Sequence, residues 1–168
     1  MQDRIERMKT EWAREYPELD SDVMATVGAL LEAGQLLEKQ CLIPFAAKFG
    51  LQKGEFDVIA TLRRAGAPYE LTPTNLYEAM LLTSSAMTSR IDRLERAGLV
   101  ERGPDPMDRR GVRVRLTAKG LDLINDIMPQ HVANELEALS SLDARERKEL
   151  DRLLAKLIRR LAAAGEPS

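Results

Sequence analysis

Two stretches of this chain carry side chains suited to contact with a polyanion. From Ser84 to Ala97 the apolar residues Met87, Ile91 and Leu94 keep the 3.6-residue period of a helix, which leaves Ser85, Ser89, Arg93 and Arg96 on the other side. Small polar and basic side chains on a free helix face fit the major groove of DNA. Further on, Arg109, Arg110, Arg113 and Arg115 crowd a loop and the strand after it, where guanidinium groups can donate to phosphate oxygens. The charge balance agrees. From Thr83 to Lys119 there are nine Lys or Arg against five Asp or Glu, whereas the whole chain carries 25 against 27, so the remainder is acidic. A basic element on an acidic body suits docking on nucleic acid by one face.

The surrounding elements must hold those side chains in place. Thr72 can accept from free amides of a first turn and Pro73 fits the first helical position, which predicts a short helix to Met80 and a tight turn at Leu81-Leu82-Thr83. Gly98 stops the second helix. Leu99–Arg102 and Val112–Leu116 read as paired strands around a loop from Gly103 to Gly111 that is rich in turn residues. Two helices and a basic hairpin make a winged helix-turn-helix, so the fold class is mainly α with a small β-hairpin wing.

Helices flank this unit on both sides. Ile5, Met8 and Trp12 form a stripe between Asp3 and Glu15, closed by Pro17. A long helical run from Ser21 to Phe49 is expected to kink at Pro44, and a helix from Glu55 to Arg64 buries Phe56, Ile59, Ala60 and Leu62. Thr117 caps a helix that is expected to bend at Pro129 and continue towards Leu139, with His131 on its surface. Asp143-Ala144-Arg145-Glu146 is a capping-box-like start to a last helix with the stripe Leu150, Leu153, Leu154, Leu157, Ile158 and Leu161. The organisation expected is an extra helix over 1–16, a dimerisation helix over 17–50, a DNA-binding domain over 51–117 and C-terminal dimerisation helices over 118–168. The long apolar stripes can pack within one chain or interlock two copies. A two-fold homodimer would also space two recognition helices about one DNA turn apart.

Several classes are disfavoured. Cys41 is the only cysteine and His131 the only histidine, so no internal disulfide and no metal-binding cluster is expected. No phosphate-cradling glycine loop or nucleophile motif suggests catalysis, and no catalytic residue or cofactor is assigned. No apolar run approaches the roughly 20 residues needed to span a bilayer, and Met1–Arg7 is too polar for a signal peptide. A cytoplasmic protein with no membrane partner is the expectation. Cys41 lacks an evident resolving partner, which speaks against redox sensing.

Phe56-Asp57-Val58-Ile59, the run Thr88-Ser89-Arg90-Ile91-Asp92-Arg93-Leu94-Glu95, and Asp108-Arg109-Arg110 followed by Leu116-Thr117-Ala118-Lys119-Gly120 resemble the MarR family of bacterial transcriptional regulators. The resemblance spans about Val23 to Leu161. It implies a homodimer on a pseudo-palindromic double-stranded operator, usually repressing adjacent genes until a small ligand or an oxidant intervenes. It carries DNA contact to Ser84, Ser85, Thr88, Ser89 and Arg93 of the recognition helix and to Asp108, Arg109, Arg110 and Arg113 of the wing. In the family pattern the aspartate at Asp108 orients a wing arginine.

The extra helix with Trp12, the segment Leu62–Tyr69 and Thr88-Ser89-Arg90 are similar to the PecS-like, urate-responsive branch of that family. Matched residue by residue, that branch implies a ligand set of Trp12, Asp57, Arg64 and Arg90, holding a planar purine anion between the dimerisation region and the DNA-binding lobe. Asp57 and Arg64 lie seven residues apart, near two helical turns, so they share one line of a helix where an oxyanion can compete for Arg64. Arg90 sits on the flank of its helix, about 70° from the apolar stripe, and can reach inward. Each also has a plainer role: Trp12 as a packing anchor, Asp57 with Arg64 as an ion pair, Arg90 as a phosphate contact. The rival readings are a regulator sensing another small anion or phenolic ligand or none, and a winged-helix protein-interaction module.

Overall fold

The computed structural model describes residues 2–52, 54–80 and 84–164, and of residues 2, 3, 84–86, 109 and 110 the backbone alone. The turn expected at Leu81-Leu82-Thr83 lies outside the described residues. The chain runs α1 (Gln2–Glu15), α2 (Ser21–Leu36), a π-helical segment (Leu37–Leu42), α3 (Ile43–Ala47), α4 (Glu55–Arg64), β1 (Glu70–Leu71), α5 (Pro73–Met80), α6 (Ser84–Arg96), β2 (Val100–Asp105), β3 (Asp108–Leu116), α7 (Ala118–Ala138) and α8 (Ala144–Ala164).

The core gathers where α4, α5, α6, the sheet and the start of α7 meet. Val58, Ile59 and Leu62 of α4, Leu76 of α5, Ile91 and Leu94 of α6, Val114 of β3, and Ile124 and Ile127 of α7 are almost wholly withdrawn from solvent. Each comes from the apolar stripe of its own element, and burial of one such side chain contributes about 1.5–3 kcal/mol. The end of α6 is locked by the segment after the wing. Thr117 donates its hydroxyl to Gly98 O (2.7 Å) and accepts from Gly120 N (3.0 Å), while Lys119 Nζ donates to Ala97 O (2.8 Å). Gly120 is required by close approach, because a Cβ there would overlap Leu99 O.

The sheet has three strands in the order β1-β3-β2, all antiparallel. Two features differ from the sequence expectation. β1 pairs Glu70 with Arg115 and Leu71 with Val114, and two residues are too few for any alternation to show. The wing strands are also longer than expected: Gly103 pairs with Arg113 and Pro104 with Val112, so most of the supposed loop is ribbon, with a bulge at Pro104/Asp105. Pro104 is tolerated because β2 is an edge strand.

The kink expected at Pro44 takes a specific form. Ile43 N–H donates to Glu38 O, five residues back, and Pro44, which has no N–H, then opens α3 within its first turn. α7 continues through Pro129 to Ala138, as expected. The capping box at α8 is present, with Asp143 Oδ1 accepting from Glu146 N (2.9 Å) and Glu146 Oε2 accepting from Asp143 N (2.8 Å).

The flanking helices keep their apolar faces open. α1 packs on α2, yet Val23, Val27 and Leu31 of α2 are more than half exposed, as are Val132 and Leu136 of α7 and Ile158 and Leu161 of α8. An apolar groove of about 840 Å³ lies between α2 with its π-helical extension, the end of α7 and α8.

Candidate DNA interface and neighbouring cavity

Helix α6 buries Met87, Ile91 and Leu94 and leaves Thr88 and Ser89 on the solvent side. The side chains of Ser84 and Ser85, at its start, lie outside the described residues. Arg93, assigned to DNA contact by the sequence, is turned towards the protein: its Nε lies 2.5 Å from Glu55 Oε1, and the Glu55 side chain is only 6% exposed. Glu55 also accepts from Gln52 N (2.6 Å) at the start of α4. A guanidinium committed to a buried carboxylate braces α6 against α4. Arg102 of β2 reaches Asp92 (2.5 Å) and Glu95, tying α6 to the wing.

The wing repeats this pattern. Arg113 lies between Glu70 Oε1 (3.3 Å) and Asp105 Oδ1 (3.2 Å), and Arg115 pairs with Glu101 (2.7 Å). The Met107 N–H donating to Asp105, helped by Arg113, holds the Asp105 carboxyl below its ordinary value. Asp105 thus makes a carboxylate–arginine contact within the wing. Asp108 itself is exposed at the ribbon tip, and the side chains of Arg109 and Arg110 beside it lie outside the described residues. Thr88 and Ser89 thus face solvent on α6, while Arg93 and Arg113 are engaged by carboxylates that tie α6 to α4 and β3 to its neighbouring strands.

Behind α6 lies a cavity of about 140 Å³, lined by the π-helical segment and α3 on one side and α4 and α7 on the other. Asp57, Gly54 and His131 border it. The Arg90 guanidinium packs on Gly54, where a Cβ would lie 2.5 Å from its Cζ, so the missing side chain makes its seat. Gly54 has φ +77, which also favours glycine. Arg90 Nη1 is buried and has no hydrogen-bond partner among the described residues. Desolvation on its cavity side pushes the Asp57 carboxyl above its ordinary value although the residue as a whole is exposed, against the pull of Arg90 and then His131, with Glu38 adding to the rise.

The other two residues of the expected ligand set stand apart from this cavity. The Arg64 guanidinium donates to Ala79 O (3.3 Å) at the end of α5, and Trp12 lies on α1 with 40% exposure. Cys41 is half-buried and accepts from Asn134 Nδ2 (3.0 Å).

A winged helix with this order of elements matches known proteins closely. The HTH-type transcriptional regulator PecS of Dickeya dadantii is 39% identical to the chain over 151 residues, covering 90% of each protein. The chain belongs to the MarR family. The MarR family profile matches residues 49–111, from just after α3 into the wing. Among solved structures, a mutant MarR from Escherichia coli complexed with operator DNA aligns with a TM-score of 0.69 and 27% identity, covering 87% of this chain and 96% of that one. Sco3205, a MarR family regulator from Streptomyces coelicolor in complex with DNA, aligns at 0.77 and 25%, covering 89% and 91%. This MarR protein is therefore a DNA-binding transcriptional regulator similar to PecS, and not an enzyme.

Sequence reasoning misses the residues that position the MarR site. Glu55 and Glu70 pair with arginines distant in the chain, and Asp105 with Arg113 across the wing, whose strands run further than expected. Gly54 carries a usable signal, as a glycine just before a helix, but its role beneath Arg90 depends on α6 folding over it. His131, expected on a helix surface, has a side chain only 14% exposed, its ring centre 4.3 Å from that of Phe56 in a tilted contact.

Proposed function

We propose that this MarR protein acts as a homodimer on a pseudo-palindromic operator, as a repressor released by a small anionic heterocycle such as urate. The exposed apolar faces of α2, α7 and α8 support the dimer, since stripes of this size are normally covered in a stable protein. One observation carries the effector reading: a buried Arg90 donor with no partner among the described residues, on the recognition helix itself, beside Asp57 and a cavity. An unpaired buried donor costs about 1–3 kcal/mol, which an acceptor on a ligand would recover.

The proposed mechanism is a population shift. Arg90 belongs to α6, so a ligand that engages it favours α6 positions set by the cavity and not by the groove spacing. DNA affinity then falls by the ligand's preference for that state. Asp57 and Arg64 are about 10 Å apart along α4, so contact with all of Trp12, Asp57, Arg64 and Arg90 requires the helices to close around the ligand.

The test is a urate titration of the protein bound to its own upstream intergenic DNA, following complex loss and Trp12 fluorescence together. Release and quenching at matching concentrations are expected, with both weakened in Arg90→Met. Release that is identical in Arg90→Met and in Asp57→Asn would remove the effector site from this cavity.

A further inference from the structure

We propose that the outer face of α8 is a second DNA-binding surface, which holds the phosphate backbone of another duplex segment without reading its sequence. It goes beyond the function proposed above and depends neither on an effector nor on what covers the apolar stripe. At about 100° per residue, Arg145, Lys148, Arg152, Lys156, Arg159 and Arg160 fall within about 120° of one another on α8. All six are exposed. Glu149 is the one acid on that face and pairs with Arg152 (2.6 Å), while the other five cations meet no carboxylate among the described residues.

A helix face that only has to stay wet does not need this arrangement. Lys148 with Arg152, Arg152 with Lys156, and Lys156 with Arg160 are like charges four residues apart, a spacing that destabilises a helix. Arg145 also stands in the first turn, at the positive end of the helix dipole. The whole chain carries 25 cations against 27 anions, yet Ala144–Ala164 holds seven against three. Repulsion concentrated on one face is relieved by a partner that brings negative charge.

Duplex DNA fits this ridge. From Arg145 to Arg160 the ridge runs along about 22 Å of helix, the length of about six base pairs. Steps of three and four residues set one cation about every 5 Å from Arg145 to Arg159, against a partner with one phosphate charge per roughly 1.7 Å of axis. A membrane fits less well. An amphipathic helix lying on a bilayer buries its apolar face, and the stripe from Leu150 to Leu161 is centred about 150° from the ridge, which would turn the cations away from the headgroups. A DNA-binding regulator already holds one duplex segment, so more of the same molecule is present at a raised effective concentration.

The test uses the full chain bound to one equivalent of a short duplex from its own upstream intergenic DNA, which occupies the first DNA surface. A second, labelled duplex of unrelated sequence is added, and acetylation of Lys148 and Lys156 is followed by mass spectrometry, with the exposed Lys39 as reference. The expected result is that both lysines react at least about threefold more slowly with the second duplex present, that Lys39 is unchanged, and that added salt abolishes the difference. The triple variant Lys148→Gln, Lys156→Gln, Arg159→Gln is expected to bind the first duplex within about twofold of the parent and the second at least about tenfold more weakly.

Lysines that stay as reactive with the second duplex as without it overturn the proposal, and the parent protein decides this even if the variant fails to fold. A variant that holds the second duplex as well as the parent does so too. Equal weakening of both duplexes makes α8 part of the first surface and removes the second. Phosphatidylserine vesicles that protect the two lysines where duplex does not would replace DNA with a membrane.

Discussion

Ile59 of α4 and Ile158 of α8 are the same residue on amphipathic helices, yet the first is 0% exposed and the second 62%. The difference lies in what each helix meets. Helix α4 is surrounded by α5, α6, β3 and α7, so its stripe closes within one chain. Helix α8 has no residue in the buried core, and neither has α2. The winged-helix region therefore closes its core within a single copy, while the flanking helices leave apolar surface open. In the proposed homodimer this division would let one region present α6 and the other set the spacing between two such helices.

Breaking the closed region should have the largest effect. Gly120→Ala drives a Cβ into Leu99 O and should cost about 3 kcal/mol or more, read as a lower urea midpoint. Parent-like stability would mean that the approach of α7 to β2 is not the constraint described. Next comes the open region. Leu157→Asp places a charge on the exposed stripe of α8 and should yield a monomer by sedimentation, with operator affinity falling roughly 100-fold or more as the second half-site contact is lost. A variant that stays dimeric would move the interface off α8.

Smaller effects sharpen the contrast. Glu55→Gln releases Arg93 and should cost about 1–2 kcal/mol, because Arg93 keeps 32% exposure and can rehydrate. Operator affinity should fall with it if Arg93 braces α6, and should be unchanged or higher if freeing Arg93 adds a phosphate contact. The smallest effect concerns Asp57. Its carboxyl titrates above the ordinary value of 3.8, so ionisation opposes folding: the penalty is absent below that value and complete above the raised one. Asp57→Asn should therefore raise Tm at neutral pH, by an amount that shrinks as pH falls towards 3.8. A gain that grows on acidification would contradict the sign.

Elements that depend on neighbours close in the chain were legible in the residues alone. Helices α4 and α5 begin and end where their stripes and caps require, the Thr72 hydroxyl accepts from Asn75 N (3.1 Å), and the box at Asp143 closes as its residue types demand. Periodicity and capping act within a few residues, so a local stretch of sequence contains them. Packing settled the rest: β1, whose two residues form a strand because β3 runs beside them, and the partners of Arg93 and Arg113. The cavity has the same origin, since Arg90, Gly54 and His131 come from separate parts of the chain and meet only when α4, α6 and α7 pack together. An arginine in a sequence is a free cation until the fold supplies or withholds a carboxylate. Arg93 was supplied with one, and Arg90 Nη1 was left buried with no partner among the described residues.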